Sequence, residues 1–387
     1  MLPGSWVLPG MRRCGRCGVP VQLPRRSGGH KDLVPVRRSS IVEYPLAARS
    51  TLTAAVAAAL LVTATTALAA KPGSGSANGT GAVFVSNPVE DLNDQTLRDQ
   101  KDSAAAVPAA AYHTVTLTDL DGSGFLRGRW AEIVSETGNP AYSPTNSFFY
   151  NRHQDEFEQV MAYFWITESQ KYIQRLGFGS TRRPVNMESQ RLRINQYGID
   201  NSFATTHKDE IRLGKGGVDD AEDGEVITHE YGHAIHFSQN FAFASVEAGA
   251  ISEGFGDYWA VTTTMVVRKR LGLLPLTDPA CVADWDATSY DPTPPHCLRR
   301  IDSNLHYPED LVGRVHADGR IWSRALWDIR NALGNVQADT VILEGQFDFD
   351  GTDMPELARR TVAAANRIYG PTVANTVRAQ FQARGIL

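Results

Sequence analysis

Cysteine is scarce in this chain of 387 residues, with four in all. Cys14 and Cys17 form a Cys-Gly-Arg-Cys pair, but no second pair follows to complete a zinc ribbon, so that pair is set aside. Basic charge is also short where it would matter for nucleic acid. The first 49 residues hold nine Lys and Arg against Asp32 and Glu43, which leaves 29 basic and 41 acidic residues and a charge of about −12 from residue 50 onward. A body of that sign does not suit a general nucleic-acid binder. Repeats of solenoid period are lacking, and so is a series of long apolar runs. With 42% hydrophobic and 21% charged residues the composition is globular, which excludes disorder, collagen and a multispanning membrane protein.

One stretch does lack charge altogether. From Ser50 to Ala70 it reads STLTAAVAAALLVTATTALAA, after Arg49 and before Lys71. An apolar core ending in Ala67-Leu68-Ala69 predicts a signal peptide over 50–69, cleaved after Ala69. A membrane anchor is the alternative, but the run is rich in Ala and Thr and only weakly apolar, so no stable membrane insertion is expected once it is removed. Residues 1–49 are read as an extension ahead of the true start. Residues 70–111, poor in aromatics and containing AAAVPAAA, read as a linker or short pro-segment. Cys281 and Cys297 are then the two cysteines of the exported part. Sixteen positions apart, they suggest one disulfide, with two free thiols as the alternative.

From Tyr112 onward, Val115 and Leu117 alternate with Thr114, Thr116 and Thr118 as in a strand, and Asp121-Gly-Ser-Gly reads as a turn rather than a calcium loop. Residues 154–176 carry Phe157, Val160, Met161, Phe164, Trp165, Tyr172, Ile173 and Leu176 at helical spacing, a core stripe that stops at Gly177. Alternation returns at Leu192 and Ile194 and at Ile211 and Leu213. Beyond residue 225 the periodicity is mostly helical, down to a pair over 355–368 and 371–384. Strands first and helices after predict an α+β fold, with a β-rich lobe over 112–236 and a helical lobe over 237–387.

The chemistry is concentrated in Val226-Ile-Thr-His229-Glu230-Tyr231-Gly232-His233. On a helix, His229 and His233 stand one turn apart on one face, where two imidazoles converge on a tetrahedral cation such as zinc. Glu230 falls beside them, where a carboxylate can take a proton from metal-bound water. Zinc with an open position needs a third protein ligand, and Glu253 is the natural candidate. Asp257, one turn further, is placed to accept the far ring N–H of a ligating His.

With these residues in view the chain resembles the gluzincin metallopeptidases of the thermolysin and fungalysin type. The second His and the ligand Glu are separated by residues 234–252, nineteen in number as in the thermolysin branch, and the Gly-x-Met-Glu-Asn motif of gluzincin aminopeptidases is absent. The resemblance covers roughly 112–387 and implies a two-lobed fold with the His-Glu-x-x-His helix between the lobes. It further implies that Asn201 and Ser202, in Asp200-Asn-Ser-Phe203, hold extended peptide by a side-chain contact and a carbonyl. His316, in Val315-His-Ala-Asp-Gly-Arg-Ile-Trp322, is similar to the family's oxyanion donor, although a lone downstream His is ordinarily surface or core. Leu298-Arg299-Arg300 resembles the segment supplying an Arg to a substrate carbonyl, with the register open between Arg299 and Arg300. The family's long propeptide has no counterpart. Where its acidic calcium ligand would stand this chain has Thr264, so the double calcium site is not expected. Glu225 with Asp219, Asp220 and Asp223 offers a second place for Ca2+, but is read as a solvated acidic helix start.

These features predict a secreted zinc endopeptidase acting on proteins or peptides, with Glu230 and His316 catalytic, His229, His233 and Glu253 on the metal, and no nucleic-acid partner. The alternatives are a zinc aminopeptidase and an exported zinc-stabilised binding protein without turnover, which would have no need of Glu230.

Overall fold

The computed structural model describes residues 77–134, 138–196 and 199–387. The predicted extension 1–49, the leader 50–69 and the Cys14–Cys17 pair lie outside the described residues.

The chain opens with β1 (Ala77–Val83), α1 (Pro88–Leu92), β2 (His113–Leu120), β3 (Ala131–Ile133), β4 (Ser147–Phe148) and the long α2 (Asp155–Arg175). Next come β5 (Gln190–Gln196), β6 (Phe203–Thr205), β7 (Glu210–Gly214), α3 (Gly224–Ser238) and α4 (Val246–Leu271). Two short strands, β8 (Cys281–Val282) and β9 (Arg299–Arg300), precede α5 (Val315–Leu333), α6 (Asn335–Gln346), α7 (Met354–Tyr369) and α8 (Pro371–Ala383). The fold is therefore mixed, with eight α-helices and three small sheets among the described residues. None of these helices is long and apolar enough to cross a membrane.

In the first sheet β1 lies in the middle, antiparallel to β2 and parallel to β4. The second has the order β3-β5-β7-β6, its first three strands parallel and β6 antiparallel at the edge. β8 and β9 pair antiparallel, and the Cys281–Cys297 disulfide joins β8 to the segment before β9. The aromatic stripe of α2 is core as its spacing requires: Phe157, Val160, Met161, Trp165 and Ile173 are fully buried. Gly177, at φ +95°, ends the helix in a conformation other residues avoid. One continuous apolar cluster runs from Val83 to Ile386 and so includes residues of both predicted lobes.

Two expectations change. The stretch read as a linker or pro-segment is, from 77 to 111, built into the body. Phe84 packs edge-on against Phe157 of α2, with ring centroids 4.8 Å apart. The fully buried Arg152 ties residues 99–103 to the core, since its guanidinium reaches Asp99 Oδ1 at 2.6 Å and Glu222 Oε2 at 2.7 Å. The small residues of β1 are not a sign of slack: a Cβ on Gly81 would come within 2.9 Å of Val160 on α2. They are small because the strand passes directly against α2.

The acidic residues ahead of α3, read as a solvated helix start, are buried, with Asp219, Asp220, Asp223 and Glu225 all 3% exposed or less. Asp223 caps α3 through Oδ1, which accepts from Glu225 N at 2.9 Å, and its Oδ2 accepts from Asn87 Nδ2 at 3.2 Å. Glu225 Oε2 accepts from Ala283 N at 2.8 Å. Burial pushes this region's acids up against the hydrogen bonds and charges that favour the carboxylates, Asp220 and Asp223 to about 6 and Glu222 to about 8, from ordinary values of 3.8 and 4.5. A carboxyl raised on folding takes up protons as it folds, so its stabilisation is complete below about 4 and is lost as pH rises through 6 to 8. Thermal unfolding in chelator is thus expected to move to higher temperature as pH falls from 8 to 5. A Tm that falls over that range would contradict the burial of these groups.

Candidate metal centre

Three helices build the site, and glycines set how closely they approach. α3 carries His229, Glu230 and His233, and α4, capped by Ser245 Oγ on Ala248 N at 2.9 Å, carries Ser252, Glu253 and Asp257. A Cβ on Gly232 of α3 would lie 3.0 Å from Gly256 Cα on α4, and a Cβ on Gly256 would strike the His229 ring at 2.8 Å. Without side chains there, α4 lies flush on the imidazole. Gly254 meets Gly319 of α5 in the same way, a Cβ coming 2.3 Å from the Gly319 carbonyl, and this brings the first turn of α5 with His316 over Glu253.

One nitrogen from each of His229 and His233 and one oxygen of Glu253 lie within 4.8 Å of one another. His229 Nε2 is 3.3 Å from Glu253 Oε2 and His233 Nε2 is 3.8 Å from Oε1. The two imidazole planes stand at 87° with centroids 5.0 Å apart. Behind them His229 Nδ1 is 2.9 Å from Asp257 Oδ1, and Asp257 is itself clamped by Arg299, with Nε at 2.8 Å and Nη2 at 2.7 Å. His316 Nε2 reaches to 3.1 Å from Glu253 Oε2 on the open side, its side chain 61% exposed.

The charges are tuned by burial and by these partners. Burial opposes the imidazolium of His229, but contacts to Asp257 and Glu253 outweigh it and hold the ring up at about 10. Burial prevails at His233, pulling it down to about 4. Glu253 is opposed by burial yet held at about 2 by the histidines around it. Burial, opposed by His229 and reinforced by Glu253 and Asp220, pushes the Glu230 carboxyl up to about 7. Its Oε2 is buried with no hydrogen-bond partner. Two imidazoles and a carboxylate around one point are a donor set that fits a zinc ion with one position left open.

Two residues of this centre were not picked out in the sequence. Ser252 Oγ lies 2.8 Å from His233 Nδ1 and 2.9 Å from His236 Nδ1. His236 is fully buried, stacked on Phe241 at 4.1 Å and Phe255 at 4.7 Å, and burial holds it well below its ordinary value, hence neutral. For Nε2 of His233 to face a metal, Nδ1 must carry the proton. It then donates to Ser252 Oγ, whose own proton goes to His236 Nδ1. The signal available was a third His three residues after the second. Ser252→Ala is expected to weaken zinc binding about 10–100-fold, as loss of an outer partner does; chelator competition measures it, and an unchanged affinity would remove Ser252 from this role.

The other predicted residues fall in three places. Arg299 is at the centre through Asp257, whereas Arg300 turns away to Asp278 at 2.6 Å and Asp302 at 2.8 Å. Asn201, exposed, and Ser202 lead directly into the edge strand β6. Ser202 Oγ donates to Asp220 Oδ2 and accepts from Gly214 N at 3.2 Å. Thr264 is buried on α4. Among the described residues one other group of three converges within 4.8 Å, Asp200, Asp220 and Asp286; Glu225 is not part of it.

No family profile and no curated protein matches the chain. Among solved structures it is similar to the precursor of protealysin, a metalloproteinase from Serratia proteamaculans, with a TM-score of 0.46 and 17% identity over 66% of this chain and 85% of that one.

Proposed function

We propose that this protein is an exported zinc-dependent endopeptidase of the gluzincin type, with peptide held between the β-rich part and the helical part. The observation that carries this reading is the convergence of His229, His233 and Glu253 beside a Glu230 whose buried Oε2 has no partner. Zinc held there supplies Lewis acidity to the carbonyl under attack and acidifies the attacking water. Glu230 accepts the water's proton at Oε2 and passes it to the departing amine, a task for which a carboxyl held near 7 is well placed. His316 donates from Nε2 to the carbonyl oxygen as negative charge gathers on it. Asp257, fixed by Arg299, keeps the His229 ring oriented. The backbone of a substrate strand adds beside β6 through main-chain hydrogen bonds, with Asn201 and Ser202 at the entry. Export rests on the leader expected over 50–69 from the sequence.

The test is cleavage of an oligopeptide blocked by N-terminal acetylation, with zinc content determined on the same sample. Internal fragments should appear before single-residue losses, at nearly the rate of the unblocked peptide, and chelator should abolish them. Stepwise loss of N-terminal residues, stopped by acetylation, would make the protein an aminopeptidase; no hydrolysis with zinc bound would make it a binding protein.

A further inference from the structure

Asp200, Asp220 and Asp286 come from three separate segments, and each offers an oxygen within 4.8 Å of the other two. Asp220 and Asp286 are 3% and 4% exposed, while Asp200 is half-buried and opens to solvent. Asp286 Oδ1 is buried and has no hydrogen-bond partner. The remaining capacity is partly used: Ser202 Oγ donates to Asp220 Oδ2, and Tyr290 Oη donates to Asp200 Oδ1 at 2.5 Å.

Among the described residues, the cations nearest by charge are engaged elsewhere. Arg299, whose charge reaches Asp286, is clamped on Asp257. Lys215 pairs with Asp155 at 2.9 Å and Asp219 at 3.4 Å. Burial pushes Asp286 well above the ordinary carboxylate range and Asp220 to about 6, which measures how poorly the charges are compensated. Three carboxylates gathered at one point, two of them buried and one oxygen unpaired, favour a positive guest in place of the protons they otherwise take up.

The position says where that guest comes from. Asp200 directly precedes Asn201, Asp220 is bonded to Ser202, and the Asp286 amide donates at 3.3 Å to Oδ2 of Asp223, the cap of the helix that carries Glu230. The cluster thus adjoins both the entry to the edge strand and the start of the helix that bears the proton-accepting carboxylate. A side chain next to the cleaved bond, on a peptide running from one to the other, is delivered into it. The chemistry favours an ammonium, because a lysine offers three N–H donors to three carboxylates, and N–H···O bonds of about 2.8 Å directed tetrahedrally place their acceptors about 4.6 Å apart. A calcium ion takes six to eight oxygens, and both hydroxyls beside the cluster already donate to it.

We propose that Asp200, Asp220 and Asp286 form a specificity pocket that selects peptide substrates with a basic side chain, lysine above all, beside the cleaved bond. This rests on the peptidase reading, and the test separates the two. Matched peptides carrying Lys, Leu or Glu at the positions flanking the cut are compared by kcat/KM, and their binding is compared in the zinc-loaded Glu230→Gln protein. The wild type should favour Lys over Leu by about tenfold or more, and Asp286→Asn and Asp220→Asn should each bring that ratio close to one. Asp286→Lys should turn the preference toward Glu, with thermal unfolding to establish that each variant folds. Cleavage without a Lys preference would overturn the pocket and leave the peptidase standing. Lys-selective binding to Glu230→Gln that Asp286→Asn removes, with no hydrolysis by the wild type, would do the reverse. Terbium luminescence lost in Asp286→Asn, together with a Lys-to-Leu ratio near one, would make the cluster a divalent-cation site instead and sink the proposal.

Discussion

Glu230→Gln is expected to keep about one zinc per chain while peptide hydrolysis falls about 10²–10⁴-fold, the share of a rate that a positioned general base supplies. Glutamine has the shape of glutamate, and no metal-binding atom is lost. What disappears is an oxygen that can accept a proton and later return it. The cost to folding is bounded: the side chain is 6% exposed and its Oε2 is unpartnered, so an amide there leaves N–H groups unsatisfied at about 1–3 kcal/mol. Zinc stoichiometry, circular dichroism and kcat on one preparation decide the matter. Turnover close to that of the wild type would take Glu230 out of the mechanism.

Glu253→Ala should act the other way, losing metal and activity together. Its two oxygens face three imidazole nitrogens, at 3.1 and 3.3 Å on Oε2 and 3.8 Å on Oε1. Removing them would take away one of the three proposed ligands and the one carboxylate among them. Zinc affinity should fall by more than the 10–100-fold that an outer partner is worth. The scaffold should survive, since the Gly232–Gly256 and Gly254–Gly319 contacts that seat α4 are untouched. Undiminished zinc stoichiometry would show that Glu253 is not a ligand. A variant that unfolds is recognised from its circular dichroism, and Glu253→Gln, which keeps the volume, then carries the comparison.

The residue order alone was enough wherever the geometry is local to one element. Period 3.6 puts His229 above His233 with Glu230 alongside, whatever α3 packs against, and the aromatic spacing of α2 marks a core helix before any partner is known. Alternation gave β2, β5 and β7 for the same reason. The separation of Glu253 from His233 was legible only through resemblance, because spacing along a chain says nothing of how two helices cross. Contact between α3 and α4 at Gly232 and Gly256 is what turns that separation into a site. That residues 77–111 pack into the body was not legible because small residues mean either slack chain or close approach, and only the presence of Val160 beneath Gly81 distinguishes them. Burial of the acids before α3 was equally invisible, since the atoms that cover them come from Asn87 and Ala283. The Ser252–His236 relay and the Asp200–Asp220–Asp286 cluster belong to this second kind. Their members sit 16 and up to 86 positions apart, and hydrogen bonding and charge act over a few ångströms of space, a proximity that tertiary packing alone creates.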